Sequence, residues 1–481
     1  MKYGSARNAA LPWTSRLPEV SRMDLGAGSP TAGKIPLVLR ALAFSIFFFP
    51  ANMVLKPMGA AGTVPMLLAL VVFILWVCSS IFGLHDPVSF RHPGRIGLAL
   101  LWLGTCASYV ALYIGLTGGS TSVARAAADR WLILLLASAG IILVTAEVVR
   151  TINDALMLVR ALLAGAFFCC LVAVVQFVFR INPMDWMQLG MPGFTDNGGD
   201  TPFQARGAFV RVSGSTFHSI ELGVVCAMLL PLSVWRALYD TTGKKWFHWT
   251  GTGLLVFSIA STVSRSGTLG LVLGLGIFIP FLPVVARRWA VVIAPLAIVG
   301  LFVGMPGLVG TLMGSFTVGD ADPSISTRTD NYPRVAGMVD QHPLLGTGPG
   351  TYMPSDARNI LDNQYLSSAV TMGILGLICV IVYLLMPGIA GVQAARVARS
   401  DALKCLVGAV AAGGLVAGVC SLTFDSMSFP VFALIYPVFV GLGGAGWIMV
   451  KREMALLGPY ERDRPTTKAA QSNPKGIQWT R

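Results

Sequence analysis

Charge is what this sequence has least of. Only 12% of its residues are Asp, Glu, Lys or Arg, against 54% hydrophobic, and its mean hydropathy is +0.70. Soluble globular domains carry about 25% charge, so the composition excludes that class and selects an integral membrane protein. Cysteine is missing from the polar loops, because all eight lie inside apolar runs. That excludes a disulfide framework or a Cys-based metal site and leaves small buried hydrophobes. The five histidines have no metal-ligand spacing. There is no G-x-S-x-G elbow, no H-E-x-x-H pair and no phosphate-cradling P-loop. The amino terminus lacks the compact apolar core of a cleaved signal peptide and reads as a loosely ordered tail over 1–34. The net charge of +13 is dispersed between apolar runs, with no basic stripe interleaved with aromatics. Nucleic acid is therefore excluded as a partner.

What the chain has in abundance is apolar runs. A bilayer core needs about 20 apolar residues per helix. On that ruler about twelve spans fall near 36–55, 63–83, 96–116, 131–149, 155–179, 217–238, 248–264, 266–283, 289–306, 366–389, 402–424 and 429–450. The reading is an all-α polytopic membrane domain over 35–450, followed by a second loosely ordered tail over 451–481. The basic residues orient it. With the amino terminus inside, the inner side receives Arg91, Arg95, Arg150, Lys244, Lys245, Arg287, Arg288, Arg396, Arg399, Lys404, Lys451 and Arg452. Both termini are then cytoplasmic, and the two long polar stretches, about 180–216 and 307–365, emerge outside.

The outer side is nonetheless rich in arginine: Arg180, Arg206, Arg211, Arg265, Arg328, Arg334 and Arg358. Positive charge there runs against the usual bias. Arginine rather than lysine points to planar, bidentate recognition of phosphate or carboxylate. The first outer stretch ends in Arg211, His218 and Glu221 at the start of the sixth span. His218 and Glu221 share a helix face. Glu221 reads either as a general base for a sugar hydroxyl or as a helix start favoured by the dipole. His218 reads as a solvated helix start. The second stretch holds Arg328, Asp330, Tyr332 and Arg334, then the cluster His342 to Gly350, then Asp362-Asn363 running into the tenth span. A glycine cluster such as Gly346, Gly348 and Gly350 can expose backbone amides to an anion, or form a plain turn. Asp320 and Asp322 spell an acidic pair that reads as solvated rather than metal-binding.

Together, Arg328 and Tyr332, then His-Pro-Leu-Leu-Gly-x-Gly-Pro-Gly, then Asn363 to Leu366 opening a span with Gly373 and Gly376, resemble the O-antigen ligase and polysaccharide polymerase superfamily. The Phe-His-x-x-Glu-Leu-Gly stretch at 217–223 and the Ser-Arg-Ser-Gly segment at Arg265 look similar too. The resemblance implies an inverting, metal-independent glycosyltransferase of the GT-C type, without cofactor, in a bacterial inner membrane. It implies an undecaprenyl-diphosphate-linked oligosaccharide as donor on the periplasmic face. Arg206, Arg211, Arg265 and Arg328 would hold the diphosphate. Glu221, Asp362 and His342 would be the catalytic candidates, supported by Asp330, Tyr332, Gly346, Gly348 and Asn363. Ligases of the family carry His-Asn where this chain has Asp362-Asn363. That departure favours a polymerase, with a ligase and a lipid-linked sugar transporter as alternatives. Chain-length regulators and export proteins are the protein partners such a role would bring.

Overall fold

The computed structural model describes residues 35–87, 90–117, 121–198, 203–206, 209–304, 323–354, 356 and 359–462, with backbone alone at 204–206, 209, 297–304, 323–331 and 457–462. Asp320, Asp322 and Arg358, and the tails over 1–34 and 463–481, lie outside the described residues.

Lipid offers no hydrogen bonds to a bare backbone, so each apolar run closes its own as a helix. Every one of the twelve expected runs falls on a helix: α1 Leu37–Phe48, α2 Val64–Ile81, α3 Pro93–Tyr113, α4 Ser122–Val148, α5 Ile152–Phe179, then, after the short α6 Met184–Leu189, α7 Ser219–Tyr239, α8 Lys245–Ser261, α9 Arg265–Phe278, α10 Val284–Gly304, and, beyond α11 Pro323–Gln341, α12 Gln364–Val397, α13 Asp401–Cys420 and α14 Pro430–Arg462. Eight of the described helices are long and apolar enough to cross a membrane. The chain is thus a mostly helical, polytopic membrane protein.

Four boundaries depart from the sequence reading. The first run yields a helix only to Phe48, just before Pro50. The chain then turns into β1, Met53–Leu55, which pairs antiparallel with β2, Phe194–Asp196, out of the first polar stretch. That stretch also folds a hairpin of β3, Gln204–Arg206, and β4, Phe209–Arg211. The second stretch contains α11, which docks on α12 through Val335, Leu361 and Val370. Helix α14 runs past 450 to Arg462, into what was expected to be tail. There Glu453 accepts hydrogen bonds from the amides of Arg399 and Ser400 and pins the extension to the α12–α13 turn.

The largest difference is a break in α12. Gly373 adopts φ 67°, so the ladder of helix hydrogen bonds opens there. The segment 343–348 fills the gap. The amides of Thr347 and Gly348 donate to the carbonyls of Val370 and Thr371 at 3.1 and 2.8 Å, and those of Ile374 and Leu375 donate to Pro343 and Leu344 at 2.9 and 3.3 Å. A side chain on Gly373 would run into the Leu344 carbonyl, and one on Gly346 into the Thr371 backbone. Of the two readings of this cluster, open amides for an anion or a plain turn, the first is limited here: the Thr347 and Gly348 amides are spent on α12. Broken helices inside a membrane protein survive where another segment satisfies the freed groups, and here the Pro/Gly motif is that segment.

The bundle has two chemically distinct ends. At one, Arg95 pairs with Glu147 at 2.5 Å, and Arg160 and Arg236 pair with the fully buried Asp240 at 2.7 and 3.3 Å. Burial alone would raise the Asp240 carboxyl, but the hydrogen bonds from Arg160 and Thr242 hold it far below the usual aspartate range. The other end gathers the starts of α2, α4, α7, α9, α12 and α14, and it holds the candidate site.

Candidate functional site

The Phe209–Arg211 strand delivers Arg211 onto the turn between α8 and α9. Its Nε donates to the Thr262 carbonyl at 3.0 Å, at the carboxyl end of α8. Val263 turns the chain with φ 46°, Ser264 caps α9 by accepting from the Gly267 amide, and Arg265 opens that helix. Arg211 and Arg265, more than fifty residues apart in sequence, thus flank one tight turn. The turn is packed against α7 because α7 and α9 cross at glycines. A Cβ on Gly267 would lie 3.0 Å from the Gly223 Cα. Close backbone approach at small residues is how helices associate in lipid.

The start of α7 is built from its own side chains. His218 is the N-cap, its Nδ1 accepting from the Ile220 amide at 2.9 Å. Glu221, expected as a base, has 0% exposure. One carboxylate oxygen accepts from the amides of Val431 and Phe432 at 2.8 and 2.9 Å, and the other from the Phe217 amide at 2.9 Å. Those first two amides belong to the first turn of α14, whose donors have no partner within their own helix. Glu221 is therefore a cap supplied in trans. Its oxygens are already engaged, which favours the helix-start reading of Glu221 over that of a general base.

Asp362 and Asn363 stand where α12 begins. Asn363 Oδ1 accepts from the amides of Tyr365 and Leu366 at 2.9 and 3.3 Å. Gln364 locks this start onto the turn between α13 and α14: its amide donates to the Ser421 carbonyl at 2.9 Å, and its Oε1 accepts from the Met427 amide at 2.7 Å. The same turn is tied to the Arg265 side, because Cys420 Sγ donates to the Ser266 carbonyl at 3.5 Å. Asp362 is exposed on its rim.

Between these helix starts lies a cavity of about 220 Å³, lined among others by Arg130, Trp131, Phe217, Tyr352, Ser367 and Asp425. Asp425 leans into it from the α13–α14 turn. Ser428 Oγ donates to its Oδ2 at 2.6 Å, while Oδ1 is closed off from solvent and makes no full hydrogen bond among the described residues. Burial pushes this carboxyl up to about 6; the hydroxyls of Ser428 and Ser367 pull it down and the Asp362 charge adds to the rise.

The other expected residues are placed as follows. His342 is half-buried at the end of α11, its amide donating to the Val339 carbonyl and its carbonyl accepting from Gly346, and it does not line the cavity. Tyr332 is 53% exposed on α11. The side chains of Arg206, Arg328 and Asp330 lie outside the described residues. Arg334 donates to Tyr352 Oη at 2.7 Å and the Asn359 carbonyl at 2.8 Å, fixing the cavity wall to α11. Sequence reasoning missed Arg130 and Asp425. Arg130 sits in an Ala-rich helix start, and the outer-arginine pattern that marked its counterparts would have found it. Asp425 lies in a short turn with no motif around it.

The O-antigen ligase family model matches residues 250–381. The matched stretch runs from α8 through the Arg265 turn, α11 and the Pro/Gly segment to the middle of α12, so it contains Arg265, Asp362 and Asn363. The match supports a membrane function of the O-antigen ligase and polymerase type. Arg211, Glu221 and Asp425 lie outside the matched residues. No curated protein matches the chain.

Proposed function

We propose that this protein is an inverting, GT-C-type glycosyltransferase of the bacterial inner membrane that polymerises lipid-linked repeat units of an exopolysaccharide, capsule or O-antigen. The observation that carries the reading is that Arg211, Arg265 and Asp362, drawn from three distant parts of the chain, stand at the end of the helical bundle that also holds the cavity lined by Arg130 and Asp425. In this reading that end faces the periplasm, all twelve apolar helices cross the membrane, and both termini are cytoplasmic.

The donor is an undecaprenyl-diphosphate-linked oligosaccharide. Its diphosphate gains charge as the bond to the sugar breaks, and preorganised guanidiniums stabilise such charge without reorganising. Arg211 and Arg265, aided by Arg206 and Arg328, take this role with no metal ion. The acceptor hydroxyl attacks the anomeric carbon from the opposite side in one displacement. Chain-length regulators and export proteins would act on the product.

The description of the matched family favours a second reading, an O-antigen ligase that delivers the glycan to lipid A core. The Asp362-Asn363 pair, in place of the His-Asn of ligases, supports the polymerase. The acceptor decides. Purified protein in liposomes receives the lipid-linked repeat unit with and without lipid A core. A ladder without core is the expected product. A single shifted band that requires core makes it a ligase, and no product with either leaves transport of the lipid-linked sugar as the remaining reading.

A further inference from the structure

We infer that the cavity between the starts of α4, α7, α12 and α14 is the acceptor-sugar site, and that Asp425 is the group that takes the proton from the acceptor hydroxyl. The inference rests on the glycosyl-transfer reading above and names a residue, Asp425, beyond the matched residues.

Three features of the cavity favour a carbohydrate. Its volume of about 220 Å³ suits one sugar ring rather than a chain of them. Its walls combine the aromatic faces of Trp131, Phe217 and Tyr352 with the hydroxyls of Ser367, Thr371 and Ser428. Aromatic planes cover the apolar faces of a pyranose while a few placed polar groups fix its hydroxyls, the usual division of labour in a ligand site. Arg130 adds an exposed guanidinium against Gly59, with its Cζ 3.2 Å from where a Cβ would stand. An anionic substituent on the acceptor sugar, a carboxylate or phosphate, is what that group would recognise.

Asp425 has the geometry of a base. Asp425 lines the cavity, Ser428 donates to its Oδ2, the Ser367 hydroxyl stands close by, and Oδ1 is closed off from solvent with no full hydrogen bond among the described residues. A buried acceptor without a full hydrogen bond costs free energy and needs a reason. A sugar hydroxyl donating to Oδ1 supplies one. In the transfer, the hydroxyl proton passes to the Asp425 carboxylate as the hydroxyl oxygen bonds to the anomeric carbon of the donor. The bond from that carbon to the diphosphate breaks, and the diphosphate leaves with the electron pair toward Arg211 and Arg265. The charged groups facing Asp425 are Asp362, from the start of α12, and Arg130, across the cavity from α4. Asp362 is exposed at the rim and opens a path for the proton to solvent.

The experiment uses the full-length protein in liposomes with the lipid-linked repeat unit. Asp425→Asn keeps the shape and the Ser428 contact. It is expected to lower turnover by about 100-fold or more while donor binding stays within a few fold, the range for losing a positioned base. Asp425→Glu is expected to recover part of that turnover. Wild-type turnover is expected to rise with pH through about 6, the value to which burial pushes this carboxyl. Near-normal turnover of Asp425→Asn would overturn the assignment. If Asp425→Asn does not accumulate, the wild-type profile decides: a rate flat between pH 5 and 7.5 would overturn it equally. Arg130→Gln is expected to raise the acceptor KM about 10-fold with kcat little changed; an unchanged KM would remove the anionic-sugar claim. A wild type that makes no product fails the glycosyl-transfer reading itself, a result distinct from these.

Discussion

Glu221→Gln separates two roles that sequence could not distinguish. The wild-type carboxylate accepts three backbone hydrogen bonds, two from α14 and one from Phe217, with no exposure to solvent. Glutamine keeps one acceptor oxygen. Held toward Val431 and Phe432, that oxygen preserves the α14 cap, but the amide nitrogen then faces the Phe217 amide, donor against donor. One charge-assisted bond is lost at about 1.5–3 kcal/mol and a buried donor is left unmet at about 1–3 kcal/mol. The two remaining bonds lose their ionic character. The net cost is about 2–4 kcal/mol of stability once some local relaxation is allowed. The assay is detergent-solubilised unfolding followed by tryptophan fluorescence, with turnover measured per folded molecule. The account predicts a clear loss of stability and turnover within a few fold of wild type. Unchanged stability with turnover lowered about 100-fold, the signature of a missing acid–base group, would refute the cap.

Four other outcomes are expected. Gly373→Ala forces a side chain into the Leu344 carbonyl at a left-handed position, costing about 2–4 kcal/mol in strain and overpacking; limited proteolysis of the 342–350 segment should accelerate. Arg265→Ala and Arg211→Ala should each abolish product while membrane levels of the protein stay near normal; activity retained in both would remove the diphosphate clamp. Asp240→Asn, at the opposite end, strands Arg160 and Arg236 and should cost about 3 kcal/mol with turnover per folded molecule unchanged. Because the Asp240 carboxyl is held below its ordinary value, its stabilising contribution is present above about pH 4 and is lost as pH falls further, so wild type and Asp240→Asn should converge in stability under acid.

The helices were legible because lipid imposes a period-independent rule: about 20 apolar residues and few charges. That rule cannot see where a run changes conformation. Pro50 was the local signal that the first run ends early, and it was read as lying within the span. The break at Gly373 carries only a glycine, which in membrane helices usually marks packing rather than an opening. Its meaning appears only when residues 343–348 dock into it from some thirty residues upstream. The Pro/Gly segment was legible as a motif that either cradles an anion or simply turns, and sequence does not show that two of its amides are engaged by α12. Arg211 and Arg265 were legible through arginine on the side that the charge rule leaves poor in cations. Glu221 was legible as important, yet its partner is the start of α14 about 210 residues away, a contact no spacing announces. Asp425 was illegible for the same reason: its cavity is assembled from helix starts scattered along the chain.

The central claim is that the end of the bundle bearing Arg211, Arg265 and Asp362 transfers sugar from a lipid diphosphate. Its most direct test is the release of undecaprenyl diphosphate from a radiolabelled lipid-linked repeat unit by the protein in liposomes, beside an Arg265→Ala control. The account predicts release coupled one-to-one to glycosidic bond formation, and none from the control. Intact lipid-linked donor recovered from both, with the label merely moved across the bilayer by the wild type, would contradict it.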